Sequence, residues 1–288
     1  MSLCKGATIF ECMKKAEIYL QDKGRPDSSI DAKLLMKHIL GFDDTKLLLE
    51  RNNLIEIEAG KKYEELVKAR GEGIPLQHLT LSQEFMGIEF AVSRDVLIPR
   101  QDTETLVEEI IQEVRKNNYK SAVDIGTGSG CISVALATYI QDIRICAIDI
   151  SSEAINIAKR NIETHNLQSR IQLLQSNVFD NYESSNKVDL VVSNPPYISK
   201  VDVETLMIEV IGHEPRIALT DEGDGLEFYR KISKEARDYL NKGGMIAYEI
   251  GYDQGKDVSD ILAELGYTSI KLTPDLAGKD RVVTAKWS

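Results

Sequence analysis

The spacing of apolar residues predicts an all-helical segment at the start of the chain. Between residues 8 and 73 apolar side chains recur every three or four positions, as on the face formed by Ile30, Leu34, Leu35 and Ile39. This period places them on one side of a helix. Thr8 and Glu11 have the spacing of a capping box, which marks a helix start. We therefore predict a small helical domain over residues 1–75.

The apolar period changes after this segment. Residues 84–92 alternate apolar and polar side chains around Gly87, which predicts a β-hairpin linker within residues 76–100. Further on, short apolar runs alternate with helical stretches, a pattern typical of a parallel sheet flanked by helices. The predicted strands are residues 122–125, 143–148, 171–174, 188–192, 245–250, 268–272 and 281–285. We therefore predict an α/β domain over residues 101–288.

The charge of the chain supports two domains and argues against nucleic acid as a partner. The 288 residues carry 35 basic and 46 acidic side chains, a formal net charge of −11. Residues 1–80 contain thirteen of each sign, so the whole excess lies in the remainder. Because a negative net charge repels a phosphate backbone, we expect no direct nucleic-acid contact.

Cysteine usage and hydropathy restrict the cellular setting. Cys4, Cys12, Cys131 and Cys146 form no CxxC pair, so neither a metal site nor a disulfide framework is indicated. No run approaches the roughly 20 apolar residues of a membrane-spanning helix, and the first residues lack the apolar core of a signal peptide. We expect a cytoplasmic protein that does not bind membranes.

A glycine-rich turn follows the first predicted strand of the α/β domain. At such a turn glycine lets the backbone approach a ligand, while the amides of the next helix point at it. A dinucleotide-binding loop would need glycine at position 131, which is Cys131, so the spacing favours S-adenosylmethionine over NAD. Tight packing would also explain these glycines. The candidate residues are Gly126, Thr127, Gly128, Ser129 and Gly130.

An acid at the end of the second strand supports the same ligand. Asp149 lies nineteen residues after Gly130, close to the spacing of about 20 for a carboxylate that binds ribose hydroxyls. A solvated acid at a strand end is the alternative interpretation.

The most specific motif follows the fourth predicted strand, Asn194-Pro195-Pro196-Tyr197. The prolines stiffen this loop and lack N–H donors. The Asn194 side-chain oxygen and the Pro195 carbonyl can each accept one N–H of an NH₂ group, leaving its lone pair to face a sulfonium methyl. Tyr197 can stack on the planar group. An amide nitrogen is a poor nucleophile, so positioning and acceptors would drive catalysis without a general base. A structural turn remains the alternative.

Over nearly its whole length the sequence resembles the HemK/PrmC family of peptide chain release factor N5-glutamine methyltransferases. The resemblance implies a seven-stranded Rossmann-like class I methyltransferase sheet, mostly parallel with an antiparallel last strand, after a helical substrate-recognition domain. Besides the two motifs above, it rests on Glu84-Phe85, Gly87, residues 96–100, Thr103-Glu104, Glu214-Pro215-Arg216, Ala218-Leu219, Asp224-Gly225-Leu226, Glu249-Ile250-Gly251, residues 275–278 and Asp280-Arg281.

The resemblance also implies ligands and contacts. The substrate would be the glutamine of a Gly-Gly-Gln loop in class I release factors, and contact with the ribosome stays open. Asn194, Pro195 and Tyr197 would be catalytic and, with Pro196, bind the substrate. S-adenosylmethionine would contact Gly126, Thr127, Gly128, Ser129, Gly130, Asp149, Asn177, Val178 and Asn194.

Some positions depart from the family pattern. Gln101-Asp102 replaces the usual Pro-Glu, residues 80–82 lack the usual glycine before the hairpin, and Asn177 stands where an acid is common. A neutral side chain at 177 loses charge assistance to the cofactor's adenine amino group. The roles of Arg100, Glu104 and His213 stay open.

Two other functions are compatible with the motifs. An adenine-N6 nucleic-acid methyltransferase would use the same Asn-Pro-Pro-Tyr chemistry, yet it predicts a basic groove with stacking aromatics, and this chain is acidic with 6% aromatic residues. A non-catalytic cofactor-binding protein is the second alternative, because a fold does not by itself establish an activity.

Overall fold

The computed structural model describes residues 4–183, 185 and 187–288. The chain divides into two compact units, Met1–Leu81 and Ser82–Ser288. Within the described ranges, none of the helices has the length and apolar character needed to cross a membrane.

The first unit is helical, as predicted. The predicted capping box is present, because the Thr8 hydroxyl accepts the Glu11 N–H at 3.2 Å and the Glu11 carboxylate accepts the Thr8 N–H at 2.8 Å. Leu35, Met36 and Val67 lie in the apolar core of this unit. Its helices are α1 (Ile9–Asp22), α2 (Ser28–Leu40), α3 (Asp44–Glu50), α4 (Ile57–Gly71) and α5 (Leu76–Thr80). Helix α5 occupies a segment in which we predicted only the hairpin linker.

The second unit opens with the predicted hairpin, formed by antiparallel strands β1 (Ser82–Phe85) and β2 (Ile88–Ala91). Met86 and Gly87 connect the strands with φ values of 53° and 70°. Two successive positive φ angles are typical of the tight turn that matches the twist of paired strands.

A mixed sheet forms the centre of the second unit. Among the described residues it has seven strands, in the order β5-β4-β3-β6-β7-β9-β8. Strand β9 is antiparallel to both of its neighbours, which confirms the expected direction of the last strand. The strands are β3 (Ser121–Ile125), β4 (Arg144–Asp149), β5 (Ile171–Gln175), β6 (Val188–Ser193), β7 (Leu240–Glu249), β8 (Thr268–Pro274) and β9 (Asp280–Lys286).

Helices cover both faces of this sheet. Leu190 of β6 packs in one buried cluster with residues of α6 and α7, whereas Val191 packs in a second cluster with residues of α10 and α11. Successive residues of a strand point to opposite faces, so the sheet is the middle of three layers. The helices of the unit are α6 (Gln101–Asn117), α7 (Cys131–Tyr139), α8 (Ser152–Thr164), α9 (Ile208–Ile211), α10 (Glu227–Ala236) and α11 (Gly255–Glu264).

The chain order of the strands reverses at β3, whose neighbours are β4 and β6. In open α/β sheets ligands bind outside the carboxyl ends of the strands at such a point, because the connecting helices diverge to opposite faces. The loops after β3, β4, β5 and β6 are those that carry the predicted site residues.

Candidate active site

One pocket of the second unit gathers most of the predicted site residues. It lies at the carboxyl ends of β3, β4, β5 and β6, and apolar side chains such as Ile217 and Phe228 also face it. Gly130 and Tyr197 are the predicted residues outside its lining. The predicted residues in the lining are Gly126, Thr127, Gly128, Ser129, Asp149, Asn177, Val178, Asn194, Pro195 and Pro196.

The glycines between β3 and α7 have two different roles. Gly126, Gly128 and Gly130 have φ values of 72°, 55° and 80°. A Cβ atom at Gly126 or Gly128 would meet no heavy atom within 4 Å, so both face open space where a ligand can approach the backbone. At Gly130 it would meet Ala158 Cβ at 3.3 Å. Gly130 therefore serves helix packing, as the alternative interpretation of these glycines proposed.

Asp149 is held by the loop that it faces. Its Oδ2 accepts the Gly128 N–H at 2.9 Å, and its Oδ1 accepts the Ser151 N–H at 2.9 Å. Burial raises the pKa of Asp149, while these backbone hydrogen bonds lower it. The carboxylate is thus fixed at the edge of the pocket, unlike a mobile, solvated acid at a strand end.

Asp124 binds the glycine-rich loop between β3 and α7, a role that the sequence did not reveal. Its buried Oδ2 accepts the hydroxyls of Thr127 and Ser133, each at 2.7 Å. Its Oδ1 has no hydrogen-bond partner in the described part of the chain. Burial raises the pKa of Asp124 to about 6. The glycine-rich loop is therefore held by an acidic side chain that is shielded from solvent.

The segment after β5 carries backbone strain at the pocket. Val178 is buried and has a φ of 53°, although β-branched residues disfavour this region at a cost of about 1–2 kcal/mol. The neighbouring Asn177 has an exposed side chain on the pocket rim. Strain of this kind concentrates where the chain shapes a binding surface.

Asn194 has a defined side-chain orientation. Its Nδ2 donates to the Thr103 hydroxyl oxygen at 3.2 Å. Because the nitrogen is engaged there, Oδ1 is the amide atom that can accept from a ligand. Pro195 is buried beside it and also lines the pocket.

Tyr197 lies outside the pocket lining. Its hydroxyl donates to Glu249 Oε1 at 3.2 Å, and its carbonyl accepts from Gln254 Nε2 at 2.9 Å. Burial raises the pKa of Tyr197 well above its usual range. The predicted stacking of this ring on a substrate amide stays a prediction.

Thr103 lines the pocket and Glu249 accepts a hydrogen bond from Tyr197, but neither residue has a role predicted from the sequence. Glu249 is completely buried at the end of β7, and burial raises its pKa to about 7. The hydroxyls of Thr103 and Tyr197 and the charge of Arg281 oppose this shift. An acid that follows the apolar residues 245–248 was the available signal in the sequence.

The structure also places residues whose roles were left open. Arg100 lines the pocket and pairs with the buried Glu214, whose second oxygen accepts the Ile98 N–H at 3.2 Å. Glu104 accepts the Met86 N–H at 2.6 Å, so it orders the hairpin turn. His213 precedes Glu214 and is half-buried.

Two family models match the sequence. Residues 11–80 match the PrmC N-terminal domain, and residues 101–227 match the Methyltransferase small domain. The two strands of the hairpin lie between the matched segments.

Solved structures share the fold over most of the chain. The hMettl16 catalytic domain, solved with the MAT2A 3'UTR hairpin 6, aligns with a TM-score of 0.57 and 16% identity over 78% of this chain and 82% of its own. The T. thermophilus 16S rRNA N2 G1207 methyltransferase, solved with AdoMet and guanosine, aligns with a TM-score of 0.51 and 15% identity over 72% and 50%. Both likenesses show a Rossmann-like class I methyltransferase fold, as the sequence predicts.

Relatives of known name match almost end to end. The release factor glutamine methyltransferase of Clostridium acetobutylicum is 40% identical over 96% of this chain and 98% of its own. That of Bacillus subtilis is 36% identical over 96% and 97%. The chain belongs to the release factor glutamine methyltransferase family, which confirms the resemblance noted in the sequence.

Proposed function

We propose that this protein transfers a methyl group from S-adenosylmethionine to the side-chain amide nitrogen of a glutamine in a class I peptide chain release factor. The observation that carries the proposal is a shared pocket: the acceptor pair of Asn194 and Pro195 lines the same cavity as the glycine loop and Asp149. The names of the relatives supply the substrate.

The residues of the pocket fit the cofactor. The open space at Gly126 and Gly128 suits the amino-acid portion of S-adenosylmethionine, which has no phosphate to bind. Asp149 would hold the ribose hydroxyls, and Asn177 with Val178 would meet the adenine. When bound, S-adenosylmethionine would supply the methyl group of its positively charged sulfur to the amide nitrogen of the substrate, with an amide proton released to solvent.

The contribution of the chain is orientation and electrostatic stabilisation. Asn194 Oδ1 and the Pro195 carbonyl would accept the two N–H groups of the glutamine amide, so its lone pair faces the methyl group. Both acceptors strengthen their hydrogen bonds as positive charge develops on the nitrogen. Because the loop already holds these acceptors in position, no free energy is spent on orienting them during the reaction.

The remaining parts of the chain receive roles that follow from this activity. Residues 1–75 would recognise the release factor, residues 76–100 would link the domains through the hairpin, and residues 101–288 would hold the methyl-transfer site. A translation factor as substrate supports a cytoplasmic location. Direct binding of nucleic acid is not required, and contact with a ribosome-bound factor remains compatible with this function.

The test is methyl transfer to defined acceptors. The purified protein and radiolabelled S-adenosylmethionine are incubated with a release factor, with its Gln→Ala loop variant, and with duplex DNA. We expect label on the wild-type factor alone. Label on DNA would favour the adenine-N6 alternative, and absence of label despite measured cofactor binding would favour a non-catalytic role.

A further inference from the structure

Asn161 of α8 carries a buried amide that contacts two separate segments beside the pocket. It is 1% exposed, and its Oδ1 accepts the Ala91 N–H at 2.8 Å. Its Nδ2 donates to the Ala91 carbonyl at 3.0 Å and to the Ser129 carbonyl at 2.8 Å. We propose that Asn161 is a positioning residue that joins the hairpin to the glycine-rich loop and thereby sets the affinity for S-adenosylmethionine. This inference rests on the proposed function, of which it requires only the binding of the cofactor.

The three hydrogen bonds use the full donor capacity of the Asn161 amide. The Ala91 N–H can only donate, so it must meet Oδ1, whereas the carbonyls of Ala91 and Ser129 can only accept. The NH₂ group has two protons, one for each carbonyl. An ionised acid would lack both donors, and an apolar side chain would lack all three partners. The position is therefore specific for a side-chain amide.

The hairpin depends on α8 along one edge. In the described part of the chain β1 is the one strand that pairs with β2. Glu89 and Ala91 are two positions apart in β2, so their backbone groups face the same edge. There Asn161 pairs with Ala91 as a neighbouring strand would, and His165 Nε2 donates to the Glu89 carbonyl at 2.8 Å. Because an isolated two-stranded hairpin is only marginally stable, these contacts of α8 hold it in place.

The same helix holds the cofactor loop. Ser129 is buried, lines the pocket and lies between Gly128 and Gly130, residue types that leave the backbone free to adopt many conformations. Ala158, one turn before Asn161 in α8, packs against Gly130. The bond from Asn161 to the Ser129 carbonyl is thus a restraint on a backbone that its own residues do not restrain.

One amide consequently joins two walls of the pocket. From Ala91 the chain runs into a segment whose Val96 and Pro99 line the pocket, and Ser129 lines it from the glycine-rich loop. A ligand that orders the loop is then expected to order Ala91 as well. By the reciprocity of linked equilibria, loss of the Asn161 amide is expected to weaken the binding of that ligand.

The first test uses the wild-type protein and needs no release factor. Hydrogen exchange of the Ala91 amide is measured by NMR with and without saturating S-adenosylmethionine. We expect exchange at Ala91 to slow at least about threefold more than at Leu262 of α11, a buried residue outside the pocket that reports stabilisation of the whole unit. Slowing at residues 126–130 with no such excess at Ala91 would overturn the inference.

The second test is Asn161→Leu, which keeps a side chain of similar size and removes the three hydrogen bonds. The Kd for S-adenosylmethionine, measured by calorimetric titration, is expected to rise about tenfold or more, because the buried Ser129 carbonyl loses its donor. At saturating cofactor, kcat is expected to fall less than about threefold, since the acceptors Asn194 and Pro195 are untouched. The excess slowing at Ala91 should disappear. An unchanged Kd would contradict the proposed role.

The matched control is His165→Phe, which removes the bond to Glu89 and keeps a ring beside Phe90, whose centroid lies 5.7 Å from that of His165. It loosens the hairpin without reaching Ser129, so the Kd is expected to stay within about threefold. An equal loss of affinity in both variants would overturn the inference, because hairpin stability alone would then explain it.

Failure of the proposed function is distinguishable from failure of this inference. If the wild type methylates no release factor, the proposed function fails, while the Kd values and the exchange at Ala91 still decide the role of Asn161. If Asn161→Leu does not fold, as judged by circular dichroism, the exchange measurement on the wild type decides alone.

Discussion

At the scale of single residues, Asn194 lines the cofactor pocket and is also one of the two proposed acceptors for the substrate amide. Asn194→Ala removes an acceptor that matters most as charge develops on the nitrogen. We expect methyl transfer to fall by about 10²-fold or more, with the Kd for S-adenosylmethionine changed by less than tenfold. Single-turnover kinetics and calorimetric titration measure the two quantities.

The control for this prediction is Asn117→Ala at the end of α6, where the lost amide bonds the Glu113 carbonyl at 2.8 Å. This variant is expected to turn over at the wild-type rate. Full turnover in Asn194→Ala would remove the central residue of the proposed mechanism.

Asn177 gives a second prediction at this scale. Asn177→Asp restores the acid common in the family, and a charged acceptor binds the adenine amino group more strongly than a neutral one. Because the side chain is exposed, we expect the binding free energy of S-adenosylmethionine to improve by only about 1 kcal/mol, which is about fivefold tighter binding. Binding isotherms of both proteins at low and high salt test this prediction, because salt screens the added charge and should reduce the difference in affinity. An equal or weaker affinity of the Asp variant would place the adenine elsewhere.

The motif residues were predictable because each follows a strand and lies close in sequence to the others of its loop. Thr103 and Glu249 were not, because their contacts join distant parts of the chain. Asn194 bonds a residue 91 positions earlier, and Tyr197 bonds one 52 positions later. No local pattern encodes such pairs, so only the fold brings them together.

At the scale of elements, the end of helix α5 has a backbone conformation that is strained because no glycine is present there. Leu81 ends α5 with a φ of 56°, in the left-handed region that glycine adopts freely. The Cβ atom of a residue in this conformation costs about 1–2 kcal/mol. The departure from the family pattern at residues 80–82 therefore coincides with a strained helix end.

We expect Leu81→Gly to relieve this strain and to raise the midpoint of thermal unfolding by a few degrees. The gain is reduced by the greater freedom of glycine in the unfolded chain. Leu81→Ala keeps a Cβ atom and should give no such increase. A lower midpoint for the glycine variant than for the alanine variant would show that the conformation is not the dominant cost.

Elements with a strong period were predicted well, and short or irregular ones were not. All seven predicted strands are present in the sheet. The central strands are buried between two helical layers, whereas the edge strand β8 is largely exposed. Helix α5 was missed because five residues hold too little of a 3.6-residue period. Strand β7 begins at Leu240, five residues before the predicted start, where Gly243 and Gly244 interrupt the apolar run.

At the scale of the whole molecule, every residue that lines the pocket belongs to the unit Ser82–Ser288. A ligand that binds one unit stabilises it by mass action, by about 2.7 kcal/mol at 100 times its Kd. We expect S-adenosylmethionine to slow hydrogen exchange around residues 126–130 and 177–178. Helices α1 to α4 should exchange at unchanged rates, and strong protection there would contradict a site confined to the second unit.

The position of β9 has a consequence for the order of synthesis. It follows all other strands in the chain, yet it lies between β7 and β8 and pairs with both. A nascent chain that has not yet released β9 from the ribosome therefore exposes two unpaired strand edges, the kind of surface that recruits other chains into aggregates. Arg281, which faces Glu249, also lies on β9. The side chain whose charge lowers the pKa of Glu249 is thus synthesised after both Glu249 and Tyr197, which donates a hydrogen bond to Glu249.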